Sequence, residues 1–149
     1  MYPDRQWLTL NEARGEALKD NTKTLTHYKV KDGDVLYFKD LGAQVSWRTV
    51  FIVEYFGPLA IFAMLYFCPC VYGEQGKGRV LNWTQHAGFV MVALHYLKRE
   101  LETIFVHRFS NSTMPFKRIF INSGHYWVTC GTLIGYFFFH PKHTEPGLS

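Results

Sequence analysis

His95–Pro115 reads HYLKRELETIFVHRFSNSTMP. Apolar residues recur through it and just before it at helical spacing: Leu94, Leu97, Leu101, Ile104 and Phe105. Between them stand Lys98, Arg99, Glu100, Glu102, His107 and Arg108. The stretch is the back half of a membrane-helix candidate. Ionisable side chains so close to a bilayer need water, partners or a bound ligand. Tyr96, Arg99, Glu100, Thr103 and His107 fall at i, i+3, i+4, i+7 and i+11, so they share one helix face. His95, Lys98 and Glu102 lie on an adjoining face. A polar face of this kind looks into a protein cavity, or it is a helix end whose Lys98 and Arg99 snorkel to lipid phosphate. Spacing alone leaves both readings open.

Working outward, the second span runs from about 82 to 105, with Ala87–Leu94 as its apolar front half. Before it, Thr49–Tyr72 is the clearest span, with Glu54 its one charged residue in 24 positions. About 20 residues at ~1.5 Å each cross the hydrocarbon core. Trp47 and Arg48 suit the near interface, Tyr66 and Tyr72 the far one, and Pro58 can bend the helix near Gly57. Residues 73–79 read as a polar loop, and 109–118 as a loop with a basic end at Lys117 and Arg118. A third span is expected over 119–139, closing at His140-Pro141 ahead of a short polar tail. Lys and Arg favour the 106–118 loop, so this loop and the N-terminus are expected on the cytosolic side. The sequons at Asn82 and Asn111 are expected to go unused, the first abutting a span and the second cytosolic. Met1–Asn11 has no apolar signal-peptide core, so the first span is expected to act as an uncleaved signal.

Residues 1–41 are polar and short-patterned. Gln6–Leu10 alternates like a strand, Asn11–Gly15 and Lys19–Asn21 read as turns, and Thr24–Tyr28 as a short helical turn. Asp32-Gly33 is a turn signal before the strand Val35–Phe38. A few strands without a covering helix bury little apolar surface, so this segment is expected to be poorly stable alone.

Composition agrees with a membrane protein only when read by region. The 149 residues are 17% aromatic and 19% charged. The mean hydropathy of -0.09 averages a polar N-terminal segment with apolar spans. The net charge of +4 is spread over the ends of apolar runs rather than along a basic stripe, so no nucleic-acid partner is expected. Cys68, Cys70 and Cys130 make neither a disulfide framework nor a zinc knuckle. His86, His95, His107 and His125 are too widely spaced for a histidine box, so no metal site is expected. No Walker loop, GxGxxG or GxSxG elbow occurs. Glu54 is the more pointed case. An intramembrane carboxyl costs roughly 2.5–3.5 kcal/mol at mid-helix, and burial favours its neutral, hydrogen-bond-donating form. It serves either packing against another helix or chemistry.

The stretches "LYFKDLGAQVSWRTVFIVEYFGPL" and "HYLKRELETIFVHRFSNSTMP" resemble the very-long-chain trans-2-enoyl-CoA reductases and their reductase-like paralogues, placed with the steroid 5α-reductases. The lead-in "LKDNTKTLTHYKVKDGD" then "VLYFKDL" resembles the second half of a ubiquitin-like β-grasp. The resemblance implies a mainly α membrane protein: residues 1–41 a partial ubiquitin-like segment, and 42–149 a membrane region of about three transmembrane helices. It implies an endoplasmic-reticulum, multi-pass enzyme with NADPH as cofactor and an acyl-CoA as substrate. Elongase-complex membrane proteins and the bilayer would be its partners. The reaction would be reduction of the 2,3 double bond in fatty-acid elongation. By the same resemblance, Glu54 of an E-x-x-x-P motif and Tyr96 of an HY-x-x-R motif hold the substrate carbonyl. Arg99 faces cofactor phosphates or amide, with His107 and Arg108 at the same mouth. Further spans with cofactor contacts are expected in that group, so this chain is expected to be inactive alone. The competing reading is a non-catalytic membrane paralogue or truncated isoform acting through interactions.

Overall fold

The computed structural model describes residues 3–20, 22–109 and 113–144. Part of the Lys19–Asn21 turn, the sequon residues Asn111 and Ser112, and tail residues 145–149 lie outside them. The chain divides into two compact units, 1–45 with 111–116, and 46–110 with 117–149.

In the first unit, β1 (Gln6–Leu10) pairs antiparallel with β2 (Leu36–Asp40), from Gln6 opposite Asp40 to Leu10 opposite Leu36. The turn after β1 depends on Asn11, which takes the left-handed conformation (φ 59°) that asparagine tolerates. Its side-chain oxygen accepts from Val35 N–H at 3.2 Å, tying the turn to the start of β2. Across the far end, Arg5 Nε donates to Asp40 Oδ1 at 2.9 Å and Nη2 to Oδ2. Every residue of β2 is exposed, so the pair has little core of its own. Between β1 and β2 the described residues form turns and one bridge, Thr9 to Ala17. β3 (Gln44–Ser46) pairs with β4 (Thr113–Pro115). The second of these strands lies inside the segment read from sequence as a loop. A three-residue pairing across so long a separation has no local signal.

The second unit is helical. Ser46 caps α1 (Trp47–Phe67), its hydroxyl accepting from Thr49 N–H at 3.3 Å. The segment read from sequence as the first span, 49–72, lies within the helical run Trp47–Gly76. The α-helix stops at Phe67, because Pro69 follows and has no N–H to extend it. A 3₁₀ segment, Pro69–Gly76, continues the helical run. That run, Trp47–Gly76, is the one helix among the described residues long and apolar enough to cross a membrane. α2 (Trp83–Phe105) starts at a capping box: Asn82 accepts from Gln85 N–H while the Gln85 side chain accepts from Asn82 N–H. Its charged back half, Lys98 to Glu102, keeps it from meeting the same test of composition. α3 (Lys117–His125) runs into a π-helical stretch, Tyr126–Ile134, and then α4 (Gly135–Phe138). The hydroxyls of Thr129 and Thr132 bond back to the carbonyls of His125 and Trp127 within this widened stretch.

Small residues let the helices approach. A Cβ on Gly131 would meet Ile61 at 2.9 Å, and one on Gly135 would meet Leu65 at 2.8 Å. The core is Phe62, Leu65, Tyr72 and Phe139, with Tyr66 stacked on Phe89 at 4.1 Å. Arg79 closes this end. Its guanidinium donates to the carbonyls of Leu65 (2.9 Å), Tyr66 (2.5 Å) and Phe139 (3.2 Å), groups left open where two helices end. The cation also suits the negative ends of both helix dipoles.

Candidate functional site

Away from that end, α1, α2 and the 117–138 helix bring polar groups into one interface. Glu54 is 3% exposed, and Pro58, four residues on, cannot donate to its backbone carbonyl. Asn122 of α3 is the polar side chain nearest in its influence on the Glu54 carboxyl. One turn further on, Trp127 Nε1 donates to the Val53 carbonyl at 2.9 Å, and Gly57 leaves the space the indole occupies. That bond pins the two helices beside Glu54.

Tyr55 is the hub. It is 6% exposed. Its hydroxyl accepts from Arg99 Nη2 at 2.9 Å, and the guanidinium carbon lies 5.0 Å from its ring centroid. Its ring is 6.4 Å from Tyr96 and 6.0 Å from Tyr126. Tyr96 faces the Cys130 thiol on the π-helical stretch. Tyr126 lies within electrostatic reach of Glu54, Tyr55, Arg99 and Cys130. Trp47, Phe51 and Tyr55 continue as a ladder of rings along α1, 5.9 and 5.7 Å apart.

Most of the polar face of α2 finds protein partners, while Glu100 Oε1 is buried with none. Arg99 Nη1 donates to Glu102 at 2.8 Å, Lys98 pairs with the same carboxylate at 3.2 Å, and Thr103, fully buried, donates to the Arg99 carbonyl. Of the open readings, lipid-facing snorkelling and a cavity face, the second describes Tyr96, Arg99 and Thr103. Lys98 and His95 are exposed. His107 packs its ring near Phe51 (6.5 Å) and Phe109 (5.9 Å), and Arg108 is exposed. The structure brings Tyr96 and Arg99 together around Tyr55, with Glu54 the neighbouring residue on α1. His107 joins only through the aromatic ladder.

Sequence reasoning missed Tyr55, Asn122, Tyr126 and Cys130. Tyr55 stands next to Glu54, yet nothing in α1 announces that its partner is Arg99. The other three lie on a helix whose polar positions, read alone, look like the ordinary polar residues of a third span.

A dinucleotide needs a cationic fork free to meet phosphate. In this structure Arg99 divides its fork between Glu102 and Tyr55 and serves the tyrosine cluster. Among the described residues no group of three or more His, Cys, Asp or Glu could hold a metal ion.

The fold and the cluster define a class: a mostly helical chain with one helix suited to a membrane and a buried carboxyl–tyrosine–arginine site. The chain is homologous to enoyl-CoA reductases, very-long-chain and trans-2,3-enoyl-CoA reductase-like, at 35–45% identity over most of its length. It is 43% identical over 131 residues to the very-long-chain enoyl-CoA reductase of Dictyostelium discoideum, covering 87% of this chain and 42% of that protein. It is 37% identical over 147 residues to the trans-2,3-enoyl-CoA reductase-like protein of Homo sapiens, covering 97% of this chain and 40% of that one. The chain spans under half the length of these curated relatives. No protein-family profile and no solved structure matches it.

Proposed function

We propose that this chain supplies the carbonyl-binding part of an NADPH-dependent very-long-chain trans-2-enoyl-CoA reductase of fatty-acid elongation. The observation that carries this is the meeting of a buried carboxyl with buried Tyr55 and half-buried Tyr96 and Tyr126 at one helical interface, in a homologue of proteins named for that reaction. Saturating the 2,3 double bond puts negative charge on the thioester oxygen before C2 takes a proton. Donors aimed at that oxygen lower the barrier, and each is worth about 10²–10³ in turnover. Tyr96 has a donor to spare, because the thiol it faces, that of Cys130, is a weak partner that a thioester oxygen can replace. Glu54, when it carries a proton, is the second donor. Arg99 holds Tyr55, and through it the cluster, in place.

With Arg99 committed to Glu102 and Tyr55, His107 and Arg108 carry the cofactor side of the proposal. The site is then a half-site, and the 149-residue chain is expected to be inactive alone. Residues 1–41 are read as part of a ubiquitin-like segment, and the three long helical runs as transmembrane. Exposed apolar residues on the second and third runs, among them Met91, Leu94, Leu101, Phe120, Ile121 and Phe137, support a lipid surround. Residues 44–46, before the first run, pair with 113–115, after the second, which supports placing both on one side, the cytosolic face of the endoplasmic reticulum. The commitment of Arg99 also favours a second reading, a non-catalytic paralogue that engages elongase-complex proteins.

The test replaces the residues aligned with Tyr96 by Phe and Glu54 by Leu in a full-length relative from this group, and follows NADPH-dependent loss of a long-chain trans-2-enoyl-CoA. Turnover should fall about 10²–10³-fold for each. Unchanged turnover would remove that residue from the site. Turnover by the purified 149-residue chain would overturn the half-site reading.

A further inference from the structure

At the end of the helical unit away from Tyr96, a cation stands without an anion. Arg79 gives Nη1 to the carbonyls of Leu65 and Phe139, and Nη2 to that of Tyr66. A guanidinium has five N–H donors, so one on Nε and one on Nη2 remain. Neither finds an acceptor among the described residues. Carbonyls satisfy protons but bring no net charge. No carboxylate among the described residues pairs with Arg79, and the one acid of the connecting loop, Glu74, is taken by Lys77 at 2.7 Å. The guanidinium carbon lies 5.3 Å from the Tyr72 ring centroid, and the Tyr72 hydroxyl donates to the Tyr136 carbonyl at 3.1 Å. The free donors therefore belong to a group already held in place, and a ligand meets them without first ordering a side chain. Arg79 lines a groove with Tyr66, Phe67, Leu81 and His86. The Tyr66 hydroxyl and His86 Nδ1 are joined at 2.7 Å. With the tyrosyl proton given to Nδ1, the imidazole proton lies on Nε2, a further donor. The surroundings are apolar: Val80 is 89% exposed, and Trp83 and Phe67 are exposed as well.

We propose that this groove binds the phosphate of an anionic phospholipid, with Arg79 and His86 as donors and Phe67, Val80 and Trp83 against the glycerol and first acyl carbons. Charge selects the phosphate: an arginine fork matches its oxygens, and the guanidinium here has no other counter-ion. The apolar rim selects the lipid. A site for a free anion needs no collar of exposed Val and Trp, whereas a lipid covers one, and basic pockets between membrane helices take headgroups in this way. His86 stands ten residues before Tyr96 on α2, about 15 Å along the helix. The groove is thus separate from the tyrosine cluster, and the proposal does not depend on the reductase reading.

The experiment uses the full 149-residue chain in a neutral detergent. Dioleoyl phosphatidylglycerol and dioleoyl phosphatidylcholine are titrated in turn, and bound lipid is counted by native mass spectrometry. Phosphatidylglycerol should bind about tenfold more tightly, because the choline cation already serves the phosphate of the other lipid. His86→Leu and Arg79→Lys should each bring that preference towards parity, with the fold checked by helical circular dichroism. His86 is exposed, so its variant keeps the comparison open if Arg79→Lys does not fold. Arg48→Gln, an exposed cation at the other end of α1, should leave the preference as it is. Equal binding of the two lipids overturns the proposal. So does a preference unchanged in folded His86→Leu, or one lost as much in Arg48→Gln, which would make it a matter of net charge alone. Glycerol 3-phosphate is then added as a competitor. Displacement by phosphatidylglycerol but not by glycerol 3-phosphate upholds the lipid, and equal displacement by both overturns it in favour of a free phosphate.

Discussion

Gly57→Ala sets local propensity against packing. In an isolated helix the change is favourable, because Ala exceeds Gly by about 0.8–1 kcal/mol. The structure predicts the reverse. A Cβ at Gly57 would lie 1.8 Å from Trp127 Nε1, 2.1 Å from Cδ1 and 2.2 Å from Cε2. The indole is rigid, so it must move as a whole. Moving it breaks the Nε1 bond to the Val53 carbonyl, worth about 1 kcal/mol. Overpacking adds about 1–3 kcal/mol. Trp127 is 38% exposed, so the ring can swing outward, and the cost falls in the lower half of that range. After the propensity gain, the net loss is about 1–2 kcal/mol. The assay is reversible unfolding in detergent, followed by tryptophan emission and helical circular dichroism. Gly57→Ala should unfold earlier than the unmodified protein. In a Trp127→Ala background the obstacle is gone, and Gly57→Ala should then stabilise by about its helix-propensity value. A single variant as stable as the parent would refute the close-approach argument.

Other consequences concern Arg79 and the Arg5–Asp40 pair. Arg79→Met leaves three helix-terminal carbonyls without their charged donor, and hydrogen bonds to charged groups are worth about 1.5–3 kcal/mol each. Water replaces some of that where the site is half-exposed, so a loss of about 2 kcal/mol is expected in the same unfolding assay. Arg79→Lys should recover only a fraction, since an ammonium cannot reach three carbonyls in a plane. In the first unit, the Arg5 guanidinium, helped by the Gly42 N–H, holds the Asp40 carboxyl down from 3.8 to about 2. A depressed carboxyl contributes stability above its unfolded value and loses it as pH falls through the folded one. The β1–β2 pair should therefore weaken as pH drops from about 4 to about 2, seen as a change in Trp7 emission. Asp40→Asn should flatten that part of the profile, and an unchanged profile would remove the Arg5–Asp40 pair as its cause.

Much of the helical plan is legible in the chain because its signals are local. The 3.6-residue apolar period and the Asn82–Gln85 capping box mark α2 closely, and Ser46 with Thr49 marks the start of α1. Pro69 turns the end of α1 into a 3₁₀ segment, a local change that the long apolar run around it does not announce. The pairing of 44–46 with 113–115 left no trace, since three-residue strands carry almost no period.

Legible in the chain alone is the roster of residues that cannot be idle: Glu54 in an apolar run, Tyr96 and Arg99 on one helix face. Ionisable groups in such runs are costly enough to demand a partner, and periodicity reports which of them share a face. Only the tertiary structure decided who the partners are. Arg99 turns to Tyr55 and Glu102 rather than outward, Asn122 comes to bear on Glu54, and Tyr96 faces Cys130. Those choices depend on how closely three helices approach. That approach is set by glycines and one indole at their interfaces, and no helix carries a record of its neighbour's shape in its own period.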